Sequence, residues 1–414
     1  MRVQLWSSNF APEPTGIAPV STVLADGLLE RGWEVDVVAN HPHYPDPRWG
    51  SRRWPYRQRR GDLRLLRLPL LVGRETSKQR LLQELSIVSG YLAATPLLGP
   101  PLLRRPDVLL VVSPPFPALL AAVINARLRG LPWIYWMHDL LPDGAVSTGL
   151  VDEDSTILRA SRWLERTAYE ECDSVAVLSQ AFADSVISKG VPPEKVELIY
   201  DPATRPFPEV GSNGSGQGTN GDVRILSMGN IGLTQGLPPL VAAWERSEEV
   251  ARRGLKLVIT GNGVAADDVQ AEIRSDRVEY LGLVSDERLE RELRSATLAL
   301  VSQSYEGAEF NLPSKIMNFM AYGLPIVAAV NPAGESARLT EKAGAGWVAD
   351  SSDPDLFPHQ VISALDDADD VRRKTEAARS YAEENFSRQA FAGSFDRLLR
   401  KVARTGPERS AFTA

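Results

Sequence analysis

The feature that most constrains this chain is an alternation of short apolar runs with helical patterns, carried through twice. VQLW (3–6) and EVDVVAN (34–40) flank the helical pattern STVLADGLLERG. LRLLRLPL, DVLLVVS (107–113), a helical stretch from Ala121 to Leu128, and PWIYWMHD (132–139) follow. A helix over roughly Ser155 to Glu171 then leads to SVAVLS (174–179) and KVELIYD (195–201). Runs too short for buried helices, separated by helical patterns, predict parallel strands covered by helices on both faces. Between Arg205 and Asp222 the composition turns to Gly, Ser, Asn and Pro, which buries no core and predicts a linker. The alternation restarts with VRILSMGN (223–230), LKLVITGNG (255–263), VEYLGLV (278–284), LALVSQS (298–304) and LPIVAAV (324–330). The expected organisation is α/β with two doubly wound domains, 1–204 and 223–385, joined by a linker at 205–222. A helix near Arg388 to Arg404, within 386–414, is expected to return to the first domain.

In such sheets ligands bind outside the carboxyl ends of the strands. The turns expected there are polar or glycine-rich: SSNFAPEPTGI with Gly16, His138-Asp139, GNIGLTQGL, and Gly261-Asn262-Gly263. One helix stands out among them. In EFNLPSKIMNFMAYGLPIVA (309–328), Pro313-Ser314 reads as a start and Gly323-Leu324-Pro325 as a stop. At about 100° per residue, Asn311, Ser314, Lys315, Asn318 and Tyr322 share one face, while Ile316 and Met320 point to a core. That polar face is either solvated or a site for a phosphate or sugar, since a first helical turn offers free N–H donors and a positive dipole end.

Composition narrows the partners. The formal net charge of -7 argues against nucleic-acid binding. Against that acidic background, Arg48 to Arg80 carries 11 Lys/Arg beside only Asp62 and Glu75. The next segment, LSIVSGYLAATPLLGPPLL (85–103), is uncharged, but its Gly and Pro residues break a continuous helix. A membrane-surface contact through residues 48–103 fits this pairing, and a core helix beside a basic stretch is the alternative. A single cysteine, Cys172, excludes a disulfide framework, and with only four histidines no protein-built metal cluster is expected. The start, MRVQLWSSNFAPEP, has no apolar region of signal-peptide length, which points to the cytosol.

APEPTGIAPVSTVLADGLLERGWEVDVVA, MHDLLPDGAVSTG, VLSQAFADSVISKGVPPEKVELIYD, GNIGLTQGL and LPSKIMNFMAYGLPIVAAV together resemble glycosyltransferase family 4 over nearly the whole chain. Within it, NLPSK with QGL is most similar to the branch of colanic-acid-type and O-antigen-type fucosyl and N-acetylfucosaminyl transferases. The resemblance implies the GT-B architecture, two Rossmann-like domains facing across a cleft, and retaining transfer from a nucleotide sugar without a catalytic metal or cofactor. The donor would be UDP- or GDP-linked. The acceptor would be polyprenyl-diphosphate-linked or a growing glycan, at the inner face of the plasma membrane. Gly16 and Ile17 match the turn that approaches donor phosphate and sugar, and Gly261, Asn262 and Leu283 are further donor-binding candidates. Leu312, Pro313, Ser314 and Lys315 match the start of the donor helix, with Asn311 beside them. Lys315 and His138 are the implied catalytic residues; residue by residue, the alternatives are a surface lysine and a turn-capping histidine. Asp139 and Asp143 fall on the acceptor side.

The chain departs from the family at four positions. Where the family commonly has an Arg and a Lys after the first strand of the second domain, this chain has Asn230 and Gln235. Neutral amides donate hydrogen bonds but cancel no charge, which shifts that work to Lys315. The family's ribose-binding Glu on the donor helix is Asn318 here, and its partner, with seven residues between them, falls on Phe310, with Glu309 and Glu306 off register. Glu13 reads as an ordinary loop carboxylate. DED (152–154) and DPD (353–355) follow no apolar strand and read as loop charge, and GNIGLTQG lacks dinucleotide-fingerprint spacing. The competing functions are a nucleotide-sugar epimerase of the same architecture and a non-catalytic scaffold, the latter motivated by the three neutral replacements.

Overall fold

The computed structural model describes residues 1–14, 16–43, 54–71, 77–94, 105–113, 115–116, 118–139, 155–208, 223–306 and 312–405. The chain forms two compact units, Met1–Asp201 with Arg388–Ala414, and Pro202–Ser387.

The first unit is an eight-stranded sheet. Its strands are β1 (Arg2–Trp6), β2 (Glu34–Asn40), β3 (Tyr56–Arg60), β4 (Leu63–Leu68), β5 (Val108–Ser113), β6 (Trp133–Met137), β7 (Ser174–Val177) and β8 (Val196–Leu198). Their order is β3-β4-β2-β1-β5-β6-β7-β8. Helices α1 (Ala18–Glu30), α2 (Ser77–Ala94), α3 (Ala118–Arg129), α4 (Thr156–Glu171) and α5 (Gln180–Ser188) connect them. All pairings are parallel except β3 with β4, which is antiparallel. The central strands β5 and β6 are buried along their whole length, as sheets covered on both faces require. β3, YRQRR, has no apolar alternation and was not among the expected strands. It is an edge strand whose Arg57, Arg59 and Arg60 are exposed, and charge of this kind blunts an edge against further pairing.

The apolar stretch at 85–103 is described only as far as Ala94. Its first part is the end of α2, which begins in the basic region and packs inward through Ile87 and Tyr91, the latter stacked on Trp6. Leu82 and Leu85 stay exposed on the same helix, and residues 95–103 lie outside the described residues. Among the described residues, no helix is long and apolar enough to cross a membrane.

The second unit is a six-stranded, all-parallel sheet of β9 (Arg224–Met228), β10 (Lys256–Thr260), β11 (Val278–Gly282), β12 (Leu298–Ser302), β13 (Ile326–Val330) and β14 (Gly346–Asp350). The order is β11-β10-β9-β12-β13-β14, so the winding reverses between β9 and β12. Its helices are α6 (Leu237–Arg246), α7 (Glu248–Arg253), α8 (Ala266–Glu272), α9 (Asp286–Ser295), α10 (Ser314–Ala321), α11 (Glu335–Lys342), α12 (Leu356–Asp366) and α13 (Ala368–Asn385). The boundary lies earlier than the expected 204: Pro202–Pro208 belongs to this unit. Ala203 donates its N–H to the Phe386 carbonyl, and Arg379 donates to the Pro208 carbonyl. The remainder of the expected linker, 209–222, lies outside the described residues.

The last helix, α14 (Arg388–Thr405), belongs to the first unit. Phe391, Phe395, Leu398, Leu399 and Val402 are buried with Leu24, Leu28 and Trp136. The α1 surface is cut to receive it: a Cβ on Gly27 would lie 2.5 Å from that of Ala392. Trp33 Nε1 donates to Asp396 at 2.6 Å.

Candidate functional site

The second unit holds a pocket of about 360 Å³ at the carboxyl ends of β9, β10 and β11, beside the start of α10. This is the switch point of the sheet, where open α/β folds bind ligands. Gly229, Asn230, Gly261, Asn262, Leu283, Ser314, Lys315 and Asn318 line it, together with Arg205, Met228, Thr260, Val284 and Leu289. Seven of the expected donor-side positions thus meet in one cavity. Gln235 joins them through Lys315, whose Nζ donates to Gln235 Oε1 at 2.6 Å. No Asp or Glu is among these lining residues.

Glycine makes the floor possible. Gly261 sits at φ +130, and a Cβ there would lie 1.8 Å from the Gly229 carbonyl oxygen; one on Gly263 would lie 2.4 Å from that of Ile231. The loops after β9 and β10 therefore pack backbone against backbone, clamped by Gly229 N–H to Thr260 O and Ile231 N–H to Asn262 O. Above this floor, Ser314 is exposed at the first position of α10 and Lys315 is half-buried. Pro313 in the capping position leaves no side-chain cap; the Ile316 N–H turns to the Pro313 carbonyl, and the Ser314 and Lys315 N–H groups with the helix dipole are left to an anion. Desolvation by its surroundings lowers the Lys315 pKa to about 8. The ammonium is therefore still charged at neutral pH, and a negative ligand would favour it further.

The polar face of α10 is not solvated in the way its sequence suggests. Asn318 is 5% exposed, and its amide is committed. Oδ1 accepts from the Arg205 N–H at 3.1 Å, while Nδ2 donates to Thr204 Oγ1 at 3.0 Å and to the Ser314 carbonyl at 3.2 Å. This corrects the expectation of a free amide offered to a ribose: Asn318 lines the pocket but serves to seat residues 204–205. Tyr322 is likewise buried, with its hydroxyl donating to Glu290. Leu312 and Pro313 are half-buried just before the helix and do not line the cavity. Glu309 and Asn311 lie outside the described residues, as does Asp143.

The first unit carries the other expected residues, and they form no part of this pocket. Gly16 is exposed at φ +65, immediately before Ile17, the N-cap of α1. His138 follows β6, with Nδ1 3.6 Å from Asp201 Oδ2 and its ring 4.7 Å from that of Trp136. Burial lowers the His138 pKa, and the Asp201 charge opposes that shift; burial in turn raises the Asp201 pKa. His138 Nε2 is buried without a hydrogen-bond partner among the described residues. A neutral imidazole, turned by a carboxylate at one nitrogen and unengaged at the other, can accept or hold a hydroxyl proton. Asp139 is exposed beside it. Glu13 is not a free loop carboxylate. It is buried, and it accepts from Asn9 Nδ2 and from the Phe10 and His43 N–H groups, stapling the loop after β1.

Two residues escaped the sequence reading. In sequence Arg205 opens a Pro- and Gly-rich stretch that predicts a linker, and Asp201 marks only the end of a strand. Each stands at the chain's passage between units, where composition signals a boundary and hides chemistry.

Comparison with known proteins agrees with this architecture. Residues 15–202 match a family model described as a glycosyl transferase 4-like domain, and residues 222–367 match one described as glycosyl transferases group 1. The chain is 26% identical over 407 residues to the putative colanic acid biosynthesis glycosyl transferase WcaI of Escherichia coli (strain K12), spanning 94% of this chain and 97% of that protein. Among solved structures it is similar to a sucrose-phosphate synthase from Thermosynechococcus elongatus, with a TM-score of 0.67 at 18% identity over 97% of this chain and 99% of that one. Anabaena HepE, solved in complex with UDP-glucose, gives a TM-score of 0.63 at 14% identity over 97% and 100% of the two chains. With its two halves matched in succession and a doubly wound sheet in each, the chain belongs to the glycosyltransferases that join a 4-like domain to a group 1 domain.

Proposed function

We propose that the protein is a retaining, metal-independent transferase that moves a sugar from a nucleotide-sugar donor to a lipid-linked or growing glycan in surface-polysaccharide biosynthesis. The observation that carries this reading is the pocket of the second unit. An uncapped helix start, Lys315 and two glycine-floored loops converge there, a chemistry suited to a diphosphate. The departing diphosphate develops charge as the sugar bond breaks, and fixed donors stabilise it best when they are already in place. Retention would follow from attack on the same face the diphosphate leaves, assisted by its own oxygen. The Anabaena structure with UDP-glucose and the colanic-acid relative support the donor and acceptor classes.

Association with the inner membrane face belongs to the same reading. The exposed arginines of β3, Trp54 at 81% exposure and the outward Leu82 and Leu85 of α2 supply the basic and apolar groups that an anionic lipid surface attracts. Flotation with anionic liposomes tests it; a protein that stays at the bottom of the gradient at every salt concentration removes this part of the proposal.

The donor reading is tested by thermal shift and donor hydrolysis with UDP-, GDP- and dTDP-sugars. A nucleotide at about 100 times its Kd stabilises by about 2.7 kcal/mol, which moves a melting transition by a few degrees. Stabilisation by none of the three would sink the transferase reading and favour a scaffold.

A further inference from the structure

We propose that Arg205 is the second cation of the pocket and binds the diphosphate of the donor together with Lys315. This rests on the reading of that pocket as the donor site.

Among the described residues lining the cavity, Arg205 and Lys315 are the only cationic ones and none is a carboxylate. A nucleoside diphosphate brings more than one negative charge, so Lys315 alone leaves it undercompensated in a partly desolvated space. The guanidinium fork matches two phosphate oxygens at once, which an ammonium cannot do.

The backbone of Arg205 is fixed for this role. Asn318 stands one helical turn beyond Lys315, on the same face of α10. Its buried amide grips the Arg205 N–H at 3.1 Å and Thr204 Oγ1 at 3.0 Å, tying the entering chain to the donor helix. The side chain, by contrast, is held weakly. Its Nη2 donates to Asp286 Oδ1 at 2.8 Å, but Asp286 is 89% exposed and opens α9. An exposed ion pair of this kind contributes little, and Asp286 keeps water and the α9 dipole when the guanidinium turns away. Asp286 is thus a resting partner that a diphosphate can replace.

The test is calorimetric titration of the full-length chain with UDP, GDP and dTDP. The tightest of these is then compared with its monophosphate and its nucleoside in wild type, Arg205→Gln, Arg205→Lys and Asp286→Ala. Arg205→Gln is expected to weaken the diphosphate roughly 10- to 100-fold, as loss of a charged hydrogen-bond pair implies, while leaving the nucleoside within about twofold. Arg205→Lys recovers part of the loss. Asp286→Ala binds the diphosphate as tightly as wild type or more so, a result that general misfolding cannot produce. Diphosphate affinity unchanged in Arg205→Gln overturns the inference while the donor-site reading stands. An equal loss for diphosphate and nucleoside also overturns it, because the arginine would then read the nucleoside. Binding of none of the three diphosphates by wild type overturns the donor-site reading and this inference with it.

Discussion

Lys315 in the second unit and His138 in the first both have their pKa lowered by burial, and each predicts a pH signature. With its pKa lowered to about 8, Lys315 loses its charge as pH rises through that value. Affinity for a nucleoside diphosphate should therefore fall above pH 8, approaching tenfold per pH unit, and titrations from pH 7 to 9.5 would show it. Lys315→Met should bind more weakly throughout and lose that slope; a slope that persists would assign it to another group. Stability without ligand runs the other way. The folded lysine binds fewer protons than the unfolded one between about pH 8 and its ordinary pKa, so this group's contribution to stability rises with pH in that window. His138 has its pKa lowered by burial and held partly up by Asp201. Folding therefore loses stability on acidification below the ordinary histidine range, where the unfolded chain takes up the proton more readily. Asp201→Asn should move the His138 titration, followed by NMR of the imidazole, to lower pH. A shift upward or none would remove Asp201 as its electrostatic partner.

At the scale of elements, the glycine-floored contact between the β9 and β10 loops is the most exacting piece of the candidate site. Gly261→Ala forces a Cβ to 1.8 Å from a backbone oxygen at a φ of +130, so the loops must separate. A loss of roughly 2–4 kcal/mol in urea unfolding, with loss of diphosphate binding, is expected. Gly254→Ala is the control: it caps α7 at φ +65 with no atom within 4 Å of the added carbon, and should cost about 1–2 kcal/mol without touching binding. Gly261→Ala with wild-type stability and binding would contradict the close approach. The same loops show what was legible beforehand. GNIG and TGNG announced tight backbone turns because glycine has few other uses at strand ends, and buried strands such as VLLVVS announced themselves by unbroken apolar runs. β3 did not, because an exposed edge strand needs pairing but no apolar face. β14, GWVAD, is an edge of the second sheet and carries only a partial burial pattern. Arg205 and the true work of Asn318 were illegible for a different reason. Their meaning lies in a bond between residues 113 positions apart, which no local pattern encodes.

For the whole molecule, the path of the chain makes the second unit an insertion into the first. The chain leaves at Asp201 and returns at Arg388, and the two ends of the inserted unit are tied by the Ala203 N–H to the Phe386 carbonyl at 2.8 Å. Every residue lining the candidate pocket lies between those ends. A fragment of residues 202–387 should therefore fold alone and bind the nucleoside diphosphate with the affinity of the full chain, within about threefold. The first unit has no such independence, because α14 supplies five large buried side chains to its core. At about 1.5–3 kcal/mol each, their removal takes away roughly 10 kcal/mol, comparable to the entire stability of a domain. A chain ending at residue 387 should then show one cooperative calorimetric transition, stabilised by the diphosphate, where the full chain shows an additional transition or a larger unfolding enthalpy. Appearance of the full enthalpy in the truncated chain would mean that α14 is dispensable to the first core. A folded 202–387 fragment that fails to bind, beside a full chain that binds, would mean that the pocket requires residues of the first unit.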